Sequence, residues 1–265
     1  PPYYPDHPVV RDDWANYLDA IDLLDTKIGA VLKRLEDEGL AQNTIVFFFA
    51  DNGRCHVRGK QWLYDGGIHI PLIVRWPGHI KPGTVRDDLI SAIDIAATSL
   101  RLAGIEPPKN MHGRVFLGPH ADPPREYIIA ARDRCDETVD RIRCVRTKRY
   151  KYIRNFYPDR PYTQPNAYKE RNYPALAVMK KLHAEGKLTP AQALFMAPRK
   201  PVEELYDLQK DPHEIHNLAD SPEYQPVLRK LRAILERWMA ETNDQGAIPE
   251  KRIWLPKRRR SKSKR

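Results

Sequence analysis

The apolar run Thr44 to Ala50, broken off by Asp51-Asn52-Gly53, limits what this chain can fold into more than any other stretch. The run is too continuous for a strand with one face in water, and turn formers bound it. It predicts a strand buried on both faces, as in a parallel α/β sheet. Asp51 and Asn52 then fall at the carboxyl end of that strand, where open α/β sheets place their ligands. A regular strand would point them to opposite faces. Where pairing ends and Gly53 admits unusual dihedrals, both can turn towards one ion. A carboxylate beside an amide carbonyl is hard oxygen chemistry, suited to calcium or magnesium rather than zinc. The same tripeptide also fits a plain turn, because Asn and Gly favour positive φ.

Lys60 follows Gly59 in a loop that returns to a second apolar run, Ile70 to Val74, and can project back over the same strand end. A cation near a hard-metal site suggests a doubly charged oxyanion held between metal and ammonium.

Asp51-Asn52-Gly53, then Gly59-Lys60, Leu63-Tyr64, Gly66-Gly67 and Pro71 to Gly78 resemble, in order and at close spacing, the second metal-binding segment of the sulfatase family. The likeness continues through Tyr17-Leu18-Asp19 and Asp94 to Thr98, and covers most of the chain. It implies an α/β fold of the alkaline-phosphatase-like sandwich type. This chain would hold the second half of the mixed sheet with its flanking helices, plus a small C-terminal antiparallel-sheet subdomain with a helix. By the same resemblance Asp51 and Asn52 are two of four protein ligands of a calcium ion, with magnesium as the alternative. Lys60 would bind the sulfate and stabilise charge on the leaving oxygen. His56 and Arg58 are candidate substrate contacts, the first as a proton donor to the leaving group and the second as a grip on an anionic sugar. For His56 a plain loop position is the alternative.

Sulfatases attack sulfur with the hydrate of a formylglycine made from Cys or Ser in the motif Cys/Ser-x-Pro-Ser/Ala-x-Arg. No such motif occurs in this sequence, and Cys55 reads as a loop residue. The resemblance therefore implies that the nucleophile, the first metal Asp pair and further Lys and His residues come from an N-terminal half. The chain is expected to be part of a longer product, inactive on sulfate esters by itself and dependent on a formylglycine-generating enzyme. Glu204 to Asn217 and Trp238 to Thr242 are similar to heparan N-sulfatases. That favours sulfated glycans over aryl sulfate esters as substrates, with N- or O-sulfate open, and implies a periplasmic, secreted or lysosomal site. A phosphohydrolase of the alkaline phosphatase superfamily and a non-catalytic polyanion-binding module are the competing readings.

The rest of the chain is consistent with this. At 265 residues with 41% hydrophobic content it can bury a core, and its net charge of +10 favours anionic partners without choosing among them. No apolar segment is long enough to span a bilayer. Asp12 to Glu38 reads as a helix carrying an apolar stripe from Trp14 to Leu35, with Gly39 as its cap and Asp19, Asp22 and Asp25 on a solvated face. A helix is expected over Asp87 to Leu102, with Asp94 as a structural partner. Tyr127 to Ala131 and Ile142 to Ile153 read as strands of an antiparallel sheet. On the second, Arg141, Arg143, Arg146, Lys148, Arg149 and Lys151 would form an exposed basic face, either gripping a polyanion or simply solvated. Short helices are expected over Ala175 to Glu185 and Pro190 to Met196, a closing strand at Glu203 to Leu208, and an amphipathic helix over Pro222 to Thr242. A proline- and glycine-rich stretch places a boundary near residue 120, giving segments 1–120 and 121–250, with a basic tail at 251–265. Read alone the tail could suggest a nuclear signal or a nucleic-acid arm, but a disordered, solvated terminus is the favoured reading, and nucleic acid is not expected as a partner. Three cysteines, Cys55, Cys135 and Cys144, have the wrong spacing for a zinc site.

Overall fold

The computed structural model describes residues 1–248, so the basic tail expected at 251–265 lies outside the described residues. Helix α1 (Pro8–Asp37) starts four residues ahead of the expected Asp12. His7 caps it through its Nδ1, which accepts from the Val9 N–H at 3.2 Å, and Pro8 fills the first turn, where its missing N–H costs nothing. Gly39, at φ 68°, ends it as the sequence indicates. Only Val10 of α1 is buried, whereas Leu18, Leu24 and Val31 of the predicted core stripe are exposed. Asp19, Asp22 and Asp25 are exposed, as a solvated face requires.

Strand β1 (Val46–Phe49) pairs with β2 (Leu72–Arg75) in antiparallel register, with Val46 opposite Arg75 and Phe49 opposite Leu72. This corrects the expectation of a parallel strand buried on both faces. The connection is a tight loop and the four-residue helix α2 (Asp65–Ile68), which doubles the chain back. This connection is long enough for a parallel crossover, but it folds back on itself, with Gly53 bonded to Gly67, and returns the chain beside β1 in the opposite direction. The strands are half-buried, and Phe49 and Ile73 are exposed. Helix α3 (Ile93–Leu102) begins later than predicted because Leu89 is held in a β-bridge with Arg125. Asp94 is a structural partner: its buried carboxylate accepts from the Ser91 and Arg114 N–H groups, each at 2.8 Å, and from the Arg125 guanidinium.

The second half is a four-stranded antiparallel sheet in the order β3 (Tyr127–Cys135), β4 (Thr138–Thr147), β5 (Tyr150–Asn155), β6 (Glu203–Asp207). The single strand expected over Ile142 to Ile153 is thus a hairpin, turned at Lys148-Arg149, where Thr147 Oγ1 accepts from the Tyr150 N–H. Alternation along these strands sorts side chains into two cores. Val145, Tyr152 and Leu205 pack against Leu228, Leu231 and Leu235 of the amphipathic helix. That helix, α7 in chain order, spans Gln225–Glu241. On the opposite face Ile142, Cys144, Ile153 and Tyr206 pack against Val57, Trp62 and Tyr64 of the central loop. Helices α4 (Ala167–Asn172), α5 (Pro174–Ala184) and α6 (Pro190–Ala193) close the edge of this second core, which also takes in Tyr3 and Tyr4.

The basic residues of β4 and β5 do not form an exposed face. Arg143 is 1% exposed and bridges Asp133 and Asp244, while Lys151 is fully buried between Asp65 and Glu214. Arg146 reaches Asp65, and Arg149 pairs with Asp207. The i, i+2 alternation that suggested a solvated face instead feeds carboxylates on both sides of the sheet, because a buried cation is tolerated only when paired.

Candidate active-site loop

Residues 51–67 fold into a knot of turns on the inner face of the C-terminal sheet. The Gly53 N–H donates to the Gly67 carbonyl at 2.9 Å, which joins the two ends of the loop. The Lys60 N–H donates to the Arg54 carbonyl at 2.9 Å and closes an inner turn. Side chains cannot be added at the crossing points: a Cβ on Gly53 would collide with the Gly66 carbonyl, and one on Gly67 with the carbonyls of Trp62 and Gly59. Gly53, Gly59 and Gly67 are therefore demanded by close backbone approach.

The loop is gripped from below. Lys151 Nζ donates to Asp65 at 2.5 Å and to Glu214 at 2.7 Å, and Glu214 also accepts from the Asp65 N–H at 2.7 Å. Burial by itself would raise the Asp65 carboxyl, but Lys151 and Arg146 outweigh it and hold the group at about 2. Burial raises Glu214 above the ordinary carboxylate range, against the pull of Lys151. A second buried cluster lies beside the first: the Tyr64 and Tyr206 hydroxyls donate to Glu204 at 2.8 and 2.6 Å, and Asn155 Nδ2 donates to it at 2.7 Å. From the sequence Lys151 is expected on an exposed basic face, and Glu204 and Glu214 fall only within a segment of family resemblance; the buried support that these three form with Asp65 is not foreseen. The one available signal was the placement of Lys151 in phase with the inward residues Ile153 and Cys144.

The five residues expected at the site divide into two groups. His56 is 4% exposed and stacks on Trp14 of α1, with ring centroids 4.7 Å apart, while Tyr4 and Tyr17 meet its edges. Burial lowers its pKa, opposed by Asp13, whose Oδ2 is 3.6 Å from Nε2. Arg58 is 3% exposed; it donates to the Glu214 carbonyl, and its guanidinium sits 4.1 Å from the Tyr64 ring centroid and 5.0 Å from that of Tyr3. Both thus point into the packed interior.

Asp51, Asn52 and Lys60 face outwards instead. Asp51 is exposed, and its carboxylate has no ion-pair partner among the described residues. Asn52 donates through Nδ2 to the Gly53 carbonyl at 2.7 Å, which leaves Oδ1 free to act as an acceptor. Lys60 has no carboxylate partner among the described residues, and its ammonium lies 5.8 Å from the Tyr168 ring centroid. An unpaired carboxylate, an available amide oxygen and an unpaired ammonium share one loop, in which Asp65 is paired with cations and Arg54 and Arg58 are held by Tyr3, Trp14, Tyr64 and the Glu214 carbonyl. Two oxygens fit part of the six to eight that calcium takes. Among the described residues no group of three or more His, Cys, Asp and Glu side chains could enclose a metal by itself.

Comparison with known proteins identifies the family. Residues 1–105 match the sulfatase family model. The chain is 42% identical over 253 residues to an ulvan-active sulfatase of Formosa agariphila, an alignment covering 96% of this chain and 42% of that protein. It is 28% identical to the human N-sulphoglucosamine sulphohydrolase, covering 92% of this chain and 51% of the enzyme. Among solved structures, a 2-O GAG sulfatase superposes with a TM-score of 0.62 at 24% identity, over 86% of this chain and 42% of that one. The chain therefore spans about half the length of these relatives or less. In motif order, in fold and in relatives, this chain belongs to the sulfatase family.

Proposed function

We propose that this chain supplies the second metal- and sulfate-binding segment of a hydrolase that removes sulfate, as ester or sulfamate, from sulfated glycans, with aryl sulfate esters as the alternative substrates. One observation carries the reading: Asp51, Asn52 Oδ1 and Lys60 stand unpaired on a loop that the rest of the protein holds rigid. When present, calcium (or magnesium) would neutralise sulfate oxygens, and a formylglycine formed outside this chain by a maturing enzyme would supply the nucleophile. Asp51 and Asn52 would hold the ion through oxygen. Lys60 would bind the sulfate and stabilise negative charge on the leaving oxygen, an electrostatic role worth on the order of 10²–10³ in rate.

The burial of His56 and Arg58 supports a positioning role for both, in place of the direct substrate contact expected from the sequence. Arg58 ties the loop to the Glu214 carbonyl, and His56 ties it to α1. The open apolar stripe of α1 and the exposed Phe49 and Ile73 fit a chain that packs against a further part of a sulfatase domain. A polyanion-binding module loses its main support, because the sheet cations are committed to ion pairs. The sulfatase reading carries with it an exported location, whether periplasmic, secreted or lysosomal.

The test is metal dependence in the native gene product. Sulfate release should fall on chelation and recover with calcium, and Asp51→Ala with Asn52→Ala should raise the calcium needed at least tenfold. Unchanged release after metal removal would overturn the assignment. Turnover of an aryl sulfate by the purified 265-residue chain would overturn the division of labour.

A further inference from the structure

Two cations are buried beside the loop without the partners such burial demands. Arg132, on β3, is 7% exposed, and Lys169, on α4, is 6% exposed. A register shift between Arg132 and Arg134 marks a bulge, a device that re-aims side chains. The Arg132 guanidinium lies 4.5 Å from the Trp62 ring centroid, and the Lys169 ammonium 5.6 Å from the same ring. Arg132 makes one side-chain hydrogen bond, from Nη2 to Thr138 Oγ1 at 3.1 Å; its Nε and Nη1 are buried with no partner.

Among the described residues neither cation has a carboxylate within 4.0 Å. The nearby acids are engaged elsewhere: Asp140 accepts from Lys200 at 2.8 Å, in a pair with both side chains fully buried, and Asp136 accepts from Asn166. Burial, and then the charge of Arg132, pull the Lys169 ammonium down to about 8. Two mutually repelling buried cations with unused donors leave an excess of positive charge that something negative must balance.

Both cations line a cavity of about 10 Å³, closed on other sides by Val57, Gln61, Thr138 and Tyr162. That is room for one water-sized group. A whole sulfate group does not fit, but a halide ion does, as does one oxygen of a larger acid at the mouth. We propose that Arg132 and Lys169, set against Trp62, form a small-anion site that takes a halide or a single oxygen of an acidic sugar substituent. Gln61 follows Lys60 directly, so an anion here would also fasten the outer part of the active-site loop. The site does not depend on sulfatase chemistry and can be tested without turnover.

The experiment is thermal unfolding of the chain in sodium chloride against sodium gluconate at equal ionic strength, with gluconate as the anion too large to enter. Chloride should give a saturable rise in Tm, on the order of 3–6 °C at about ten times its dissociation constant. Arg132→Gln and Lys169→Met should abolish the chloride-dependent part. In gluconate Lys169→Met should match or exceed the wild type, because it removes a buried unpaired charge. Glucuronate that competes with chloride would identify an acidic sugar as a source of the oxygen; glucuronate without effect would leave the free halide as the occupant. Equal Tm in chloride and gluconate, or the same chloride response in both variants as in wild type, would overturn the site and make the cavity a water pocket.

Discussion

Replacing Lys151 with Met asks whether the active-site loop is held by a buried ion pair or only by packing. Lys151 is completely buried and pairs with Asp65 at 2.5 Å and Glu214 at 2.7 Å. Methionine keeps the length and volume of the stem but leaves the buried Glu214 without a cation, facing Asp65, which keeps Arg146. Removing one partner of a buried pair costs about 3–5 kcal/mol, because the remaining charge has neither water nor a counterion. For a chain of this size that is a fall in Tm of roughly 6–20 °C. Urea unfolding followed by circular dichroism measures the loss directly. Glu214→Gln in the Lys151→Met background should recover part of it, since it removes the stranded charge; the coupling read from the double-mutant cycle should exceed about 1 kcal/mol. A loss below about 1 kcal/mol for Lys151→Met, or simple additivity with Glu214→Gln, would refute the argument that this pair holds the loop.

Two further outcomes follow from the titrating groups. The Asp65 carboxyl is held at about 2, below its ordinary 3.8, so its contribution is complete above about pH 4 and is lost as the pH falls towards 2. Stability measured across that interval should decline, and Lys151→Met should move the decline to higher pH; no movement would contradict the pairing. Glu214 acts with the opposite sign and in a higher window, since its raised pKa means stability lost as the pH rises through its folded value. The cysteines should separate by reactivity: Cys55 is exposed, whereas Cys144 is fully buried and its thiol is pushed up to about 12 by burial. A thiol reagent should label Cys55 in the native protein and Cys144 only on unfolding, as mass spectrometry of peptides would show; native labelling of Cys144 would contradict its place beneath the loop.

The apolar run ending in Asp51-Asn52-Gly53 made the centre of the fold legible, because a run of that kind must enter a sheet and its polar end must emerge from one. The direction of its neighbour was not legible. Antiparallel and parallel partners both accept a continuous apolar strand, and the choice was made by the doubling-back of residues 51–71, whose glycine crossings are visible only in three dimensions. The amphipathic pattern of α7 translated directly into packing, since Leu228, Leu231 and Leu235 meet one sheet face. The cations of β4 and β5 misled because period-2 alternation cannot distinguish water from a buried carboxylate on the far side of a strand. Asp65, Glu214 and Asp244, which pair with them, lie in other elements far along the chain, beyond the reach of any local pattern. His56 and Arg58 were sought at the substrate for their chemistry, yet their aromatic neighbours come from residues 3–17 and 64.

The unpaired ammonium of Lys60 is proposed to serve sulfate chemistry. Its most direct test is release of inorganic sulfate from a sulfated glycan by the native gene product, wild type against Lys60→Ala, with folding checked by the unfolding midpoint. Lys60 has no ion-pair partner among the described residues, so the substitution should leave stability nearly unchanged. The rate should fall by about 10²–10³. Equal rates for the two proteins would contradict that role.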